Sequence, residues 1–413
     1  MGCSCDAKTD GALRGERLTA AQHRLVAQLT RISESESIPL EAALGRYLAD
    51  DVLAPVDVPP RAVSLYDGYA LAGPVVSDSI WPVVGESFAG DSPPPLSTNA
   101  AMRIFTGSVL PDGANAVIAQ EAVDRTGDAI RLNESISPGD GVRPRGADSR
   151  QGDCILEAGT RLDAPQLGLL ASVGHGFVSV VRKPRIAVFT TGNELIQPGE
   201  PLAPGKIYNA NHPMLVGALS RLGVTVLDLG CLPDDADRLR AALAGAATQS
   251  DLVITSGGVS VGEADFVRQV VEELGRVDQW RVFLKPGKPL AFGDVAGTPF
   301  IGLPGNPVST FVTFFLFVRP AIRVLSGADP DIDRPPLRLP LAESRPAGDR
   351  PEFVRVRRTR DGAGQTNLSV FRNQNSGLLS SMAWADGVAL MPVGVDLVAG
   401  DVVDYFPFEA WYL

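Results

Sequence analysis

The sequence predicts a multidomain α/β protein. Three observations lead there. The chain has 413 residues, more than one hydrophobic core usually organises. A central stretch, 184–326, alternates short apolar strands with helical patterns. The stretches 51–146 and 327–413 carry β-type texture instead.

In chain order, residues 16–50 read as helical. Leu18, Leu25, Val26 and Leu29 share a stripe. A second short helix, 39–49, starts at Pro39 and carries Leu40, Ala43, Leu44, Tyr47 and Leu48 on one side. From Asp51, short apolar runs such as Trp81 to Val84 and Ala116 to Ala119 lie between prolines and glycines, and Pro93-Pro94-Pro95 makes a stiff loop. That pattern predicts a small β module. Short strands and a helix at 164–174 return within 147–181. An N-terminal module of 16–50 plus 147–181, interrupted by a β insertion at 51–146, explains this order. Within 182–326 the expected strands are 185–189, 224–229, 252–255, 280–284 and 299–303, and the helices 211–222, 235–248, 263–274 and 307–325. Such alternation argues for a mostly parallel sheet covered on both faces. Residues 327–413 are β again, with 353–359 the clearest strand.

Composition excludes several classes. With 37 Lys and Arg against 48 Asp and Glu, the net charge is −11, which opposes non-specific nucleic-acid binding. The cysteines Cys3, Cys5, Cys154 and Cys231 have no framework spacing, so a reducing compartment is expected. The opening Met1-Gly2 lacks the Ser or Thr of a myristoylation signal, Asp6 standing there, and no signal-peptide core follows. The most apolar run, 311–318, ends at Arg319-Pro320 and is too short to span a bilayer. The expectation is a cytoplasmic protein that binds neither membrane nor nucleic acid.

Ligands of open α/β sheets bind at the carboxyl ends of the strands. Here those ends carry Thr190-Thr191-Gly192-Asn193-Glu194, Ser256-Gly257-Gly258-Val259-Ser260 running on to Asp265, Lys285-Pro286-Gly287-Lys288-Pro289, and Leu303-Pro304-Gly305-Asn306-Pro307-Val308-Ser309. Glycines admit close backbone approach and turn N–H groups outward, and a helix N-terminus adds partial positive charge. The expected ligand is therefore phosphate-bearing. Its candidate binding positions are Thr191, Gly192, Gly257, Gly258, Ser260, Gly305, Asn306, Pro307 and Ser309. Lys285 and Lys288 supply two charges, and Glu194 and Asp265 supply carboxylates suited to Mg2+. No Walker A loop, Gly-x-Gly-x-x-Gly helix opening or Gly-x-Ser-x-Gly elbow occurs, and His23, His175 and His212 lack metal-ligand spacing.

These loops, in this order, resemble the molybdopterin molybdenumtransferase family (MoeA and the E domain of gephyrin). Other segments share the resemblance: Ser64-Leu65-Tyr66-Asp67-Gly68-Tyr69-Ala70, Thr106-Gly107 through Glu121, Arg143-Pro144-Arg145-Gly146-Ala147-Asp148, and Asn375-Ser376-Gly377-Leu378-Leu379-Ser380-Ser381. The resemblance implies an elongated N-terminal module with a β insertion, a MoaB/MogA-like α/β domain and a C-terminal β-barrel. It implies a homodimer acting on adenylylated molybdopterin and molybdate with Mg2+, releasing AMP, and serving molybdoenzyme clients or other proteins of the cofactor pathway. By position it implies a catalytic set of Asp67, Asp148, Glu194, Asp265, Lys285 and Lys288. Thr106 and Arg143 line the substrate, and Glu194, Asp234 and Asp265 hold metal, with Asp235 a rival for the place of Asp234. Leu65 and Tyr66 beside Asp67, Asn115, Ala147 beside Asp148, and Arg281 depart from the family pattern. The competing class is a diverged, non-catalytic protein that binds or hands on the pterin.

Overall fold

The computed structural model describes residues 17–74, 78–258, 266–280, 282–287, 289–333 and 335–412. Three expected site residues, Ser260, Asp265 and Lys288, lie outside the described residues, as do Cys3, Cys5 and Arg281. Contacts divide the chain into two units. Ser37–Val180 forms one, and the described residues up to Glu36 join Val181–Leu413 in the other. This boundary falls inside the stretch 16–50.

In the Ser37–Val180 unit, six strands pair in the order Ala116–Ala119, Gly68–Leu71, Ala101–Ile104, Ile80–Ser87, Ala129–Leu132 and Val123–Thr126. Alternate residues feed two cores. Ala70, Met102, Ile104 and Val117 pack into one, and Tyr69, Leu71, Ala101 and Ile118 into the other, as the two-residue period of a strand requires. Gly68 permits the tightest pairing, because a Cβ there would meet the Ile118 carbonyl oxygen at 1.9 Å. The helix Ala164–Ser172 starts at a capping box between Asp163 and Gln166. The helix expected at 39–49 is instead one 3-10 turn, Leu40–Ala42. Gly45 takes φ +76 just beyond it, and Tyr47 and Leu48 form extended bridges to Arg161 and Val180. A left-handed glycine ended a helix that the apolar spacing suggested.

In the other unit, Thr225–Leu232, Arg185–Thr191, Leu252–Ser256 and Thr298–Leu303 are parallel, in that spatial order. Leu290–Val295 and Gly275–Trp280 then add antiparallel. The strand expected at 280–284 is thus displaced to Gly275–Trp280, and the strand Leu290–Val295 was not expected. The glycines explain the hairpin: a Cβ on Gly293 would meet the Arg276 carbonyl oxygen at 1.9 Å, and one on Gly275 would meet that of Asp294 at 2.3 Å. Helices Ala236–Ala247 and Phe266–Leu274 bury Leu239, Leu243, Val267, Val270 and Val271 against Ala187, Phe189, Val253 and Phe300.

The helix Pro307–Leu325 is long and apolar enough to cross a membrane, but 78% of its apolar window is buried inside the protein. It is a core helix, with a π-helical segment at Phe314–Val318. The first helix, Leu18–Val26, is tied to it by Gln22 Nε2 donating to the Leu316 carbonyl at 2.7 Å. C-terminal to this helix, five strands pair in the order Leu337–Pro340, Val402–Pro407, Gly387–Met391, Glu352–Arg360 and Thr366–Val370. The outer edges meet where Leu341 bridges Leu368 and the Ala342 N–H donates to the Leu368 carbonyl at 2.9 Å, so the sheet curls shut as a barrel.

Candidate functional site

The parallel strands deliver their loops to one sheet edge, and buried side chains tie those loops together. Thr191 donates its hydroxyl to Asp234 Oδ1 at 2.5 Å, and the Asn193 N–H donates to Asp234 Oδ2 at 2.9 Å. Asp234 therefore clamps the Thr191-Gly192-Asn193 turn. Its neighbour Asp235 caps the helix Ala236–Ala247, accepting the Arg238 N–H at 2.9 Å. Of the two rival carboxylates, the one engaged with the loop is Asp234. Gly257, at φ +97, lies so near Thr191 that a Cβ would meet the Thr191 carbonyl oxygen at 2.6 Å. A Cβ on Gly192 would lie 2.7 Å from the Glu194 carboxylate, which folds back over it.

Burial first, then the Asp234 and Glu194 carboxylates, push the Cys231 thiol up. The thiol stays protonated at neutral pH, as a residue without a catalytic partner should. Both acids flank the Thr191-Gly192-Asn193 turn. Two carboxylates suit Mg2+, which takes one or two from a protein and completes its shell with water and substrate phosphate. Among the described residues, no three His, Cys, Asp or Glu side chains gather as a metal site.

Two asparagines that sequence reasoning passed over hold this edge. Asn209 Nδ2 donates to the buried Thr190 Oγ1 at 2.8 Å. Asn211 Nδ2 donates to Ser256 Oγ at 2.8 Å and to the Gly305 carbonyl at 2.7 Å. Ser256 and Thr310 in turn donate to the Pro304 carbonyl at 2.8 and 2.6 Å. The signal was present as Asn209-Ala210-Asn211 just ahead of an expected helix.

Lys285 and part of the loop that follows Leu303 line an open cavity of about 570 Å3. Lys285, Gly287, Asn306, Ser309, Arg350 and Asn375 are among its lining residues. Lys285 Nζ pairs with Glu352 Oε1 at 3.0 Å, and Arg345 Nη2 with Glu352 Oε2 at 2.8 Å. Burial alone would raise the Glu352 carboxyl; the Arg345 and Lys285 cations outweigh it and hold that carboxyl below its ordinary value. Main-chain bonds fix the loop as well, Lys285 N–H to Pro351 O at 2.9 Å and Phe353 N–H to Lys285 O at 2.7 Å. Behind the Asn373-Gln374-Asn375 wall lies Arg355, fully buried, donating to the Asn375 carbonyl and to Ser381 Oγ, each at 3.0 Å. Burial pushes its guanidinium down to about 10, so it is still charged at neutral pH. Sequence reading missed Arg345, Arg350, Glu352 and Arg355.

In the Ser37–Val180 unit, Asp67 Oδ1 accepts both the Thr106 N–H at 2.8 Å and the Thr106 hydroxyl at 2.9 Å. The Thr106 amide, then its hydroxyl, hold the Asp67 carboxyl below its ordinary value, so it is ionised at neutral pH. Arg143 is exposed, on the two-residue strand that pairs with Val63–Ser64 just ahead of Asp67. The Asp148 N–H donates to the Val58 carbonyl at 2.9 Å. Its side chain is exposed. The carboxylate that fixes this turn is Asp57, which accepts the Gln151 N–H at 2.8 Å and pairs with Arg145. Leu65 and Tyr66, the departures beside Asp67, are exposed.

Three family models match the chain. The MoeA N-terminal region (domains I and II) matches residues 17–174, a probable molybdopterin binding domain 187–324, and the MoeA C-terminal region (domain IV) 338–408. The chain is 41% identical to a molybdopterin molybdenumtransferase of Haemophilus influenzae, over 75% of this chain and 78% of that one. It is 33% identical to the enzyme so named in Nostoc, over 91% and 89%. A solved molybdopterin biosynthesis MoeA protein from Pyrococcus horikoshii superimposes with a TM-score of 0.77 at 32% identity, covering 96% of this chain and 99% of that one. A second structure from that organism gives 0.81 at 28% identity, covering 96% and 100%.

Proposed function

The chain belongs to the molybdopterin molybdenumtransferase (MoeA) family, and from that membership we infer that it is an enzyme of molybdenum cofactor biosynthesis that inserts molybdenum into molybdopterin. In the fuller reading the substrates are adenylylated molybdopterin and molybdate, and the products are the molybdenum cofactor and AMP.

The observation that carries this reading is the cavity at Lys285. Lys285 and Arg350 bring two cations to one opening, and the Asn306, Ser309 and Asn375 side chains add hydrogen-bond donors. Such a pocket suits an oxyanion, and molybdate is that oxyanion. Lys288 would add a third charge. The glycine turns at 192, 257 and 258 let backbone N–H groups approach phosphate oxygens. Breaking the phosphoanhydride requires that charge developing on the leaving AMP be neutralised and the reacting groups be held in place. The lysines serve the first need, and the tied loops the second. Glu194, Asp234 and Asp265 would hold Mg2+, which supplies charge neutralisation at phosphate when bound. Asp67 with Thr106, Arg143 and Asp148 form the second, acidic part of the machinery. The protein works as a cytoplasmic homodimer and passes the finished cofactor to molybdoenzyme clients.

The test is incubation with adenylylated molybdopterin, Mg2+ and molybdate. AMP release that depends on molybdate, with cofactor able to activate an apo-molybdoenzyme, is expected. Tight binding of the substrate without molybdate-dependent AMP release would identify a carrier instead. Chelation of Mg2+ should abolish AMP release.

A further inference from the structure

An exposed aromatic platform stands beside Thr106. Phe88 and Phe105 stack almost parallel, with ring centroids 4.6 Å apart and planes 8° from parallel. The pairing of Ser87 with Ile104 in adjacent parallel strands sets the next residue on each strand, Phe88 and Phe105, side by side. Arg103 lies over the Phe105 ring at 4.8 Å and over the Tyr69 ring at 5.1 Å. Its guanidinium is fixed by the Gly68 carbonyl at 3.2 Å and Gln120 Oε1 at 2.5 Å. The Phe88 N–H donates to Asp91 Oδ2 at 2.8 Å, which anchors the backbone on the other side. The Arg103 guanidinium and the Phe88 backbone are tethered, and Phe88 is 49% exposed with Phe105 against it. The neighbouring glycines Gly90 and Gly107 have open space where a Cβ would stand. A parallel aromatic pair with an arginine over one ring presents a flat π-face to solvent.

We propose that Phe88, backed by Phe105 and Arg103, is a stacking site for a flat heteroaromatic ring of the substrate. The inference rests on the reading above, which gives the substrate two such rings, pterin and adenine. Stacking on an aromatic side chain recognises any such ring by its π-face, and a rigid platform loses little entropy on binding. Thr106 follows Phe105 directly, so the platform adjoins the Asp67–Thr106 pair, where an ionised carboxylate is ready to accept ring N–H groups.

The experiment measures binding of adenylylated molybdopterin, pterin-6-carboxylate and AMP, separately, to wild type, Phe88→Ala and Phe88→Trp. Phe88→Ala should weaken adenylylated molybdopterin about tenfold, equivalent to about 1.4 kcal/mol. Phe88→Trp should restore it. One single-ring probe should lose affinity in parallel, pterin-6-carboxylate if the pterin stacks and AMP if the adenine does. Wild-type affinity of Phe88→Ala for all three ligands would overturn the proposal while leaving the transferase reading intact. Failure of wild type itself to bind adenylylated molybdopterin would overturn both.

Discussion

The Lys285 cavity and the Asp67 corner both carry expected catalytic residues, but they are built differently. Lys285 is held by a buried carboxylate, Glu352, on a strand of the C-terminal barrel, and by two main-chain bonds to the same segment. Its cationic surroundings are assembled from distant parts of the chain. The Asp67 carboxylate is held through one oxygen by Thr106, and its main-chain carbonyl accepts the Gln120 N–H at 3.0 Å. The difference teaches which changes should act locally. A substitution at Asp67 should alter chemistry and leave the fold alone, whereas one at Glu352 should disturb a loop.

The largest effect is expected at Lys285. Lys285→Ala should lower the rate of AMP release about 100-fold or more, the usual cost of removing one charge-stabilising group. Circular dichroism should show an intact fold, because the Lys285 side chain is half exposed. Asp67→Asn keeps an acceptor for Thr106 but loses the charge, so a smaller fall of about tenfold in turnover is expected, with unchanged melting temperature. A large drop in melting temperature would show that the two regions are not so different. Mixing Asp67→Ala chains with Lys285→Ala chains sharpens the comparison further. If each site takes its two parts from different subunits, verified heterodimers regain activity; a site built within one chain leaves them inactive.

Next comes Asn211→Ala. It removes a donor that bonds both Ser256 and Gly305, and should cost about 1–3 kcal/mol of stability by urea unfolding. An unchanged midpoint would mean the two loops are held by the Pro304 contacts alone. Glu352 gives a pH test. Its folded-state carboxyl lies below the unfolded value, so its contribution is full above pH 4.5 and is lost as pH falls through the lower folded value. Glu352→Gln should therefore flatten the acid limb of the stability profile, read by thermal melts from pH 6 downward. The smallest effect separates the two adjacent acids. Asp235→Ala should cost about 1 kcal/mol of stability as a lost helix cap and leave turnover alone. Asp234→Ala should lower turnover more than stability.

Much of the α/β edge was legible in the sequence because its signals are local. Gly192, Gly257 and Gly258 sit in motifs that name their own turns, and the parallel strands alternate with helices of clear period. The missed hairpin, Gly275–Trp280 with Leu290–Val295, needed glycines whose purpose appears only when the strands meet. The false helix at 39–49 had the right apolar spacing, but Gly45 and the extended bridges of Tyr47 and Leu48 won. Lys285 could be picked out from its loop; its partner Glu352 could not, since only tertiary pairing brings a barrel strand to that lysine. Asp234 and Asp235 were indistinguishable until one was seen to cap a helix and the other to clamp a turn.

In the proposed reaction, the Lys285 cavity couples molybdate to release of AMP. Rapid-quench single-turnover AMP release, with and without molybdate, in wild type and Lys285→Ala, tests it most directly. Fast release is expected in wild type only when molybdate is present, and slow release in Lys285→Ala at any molybdate concentration. Equal rates in the two proteins, or release indifferent to molybdate, would contradict it.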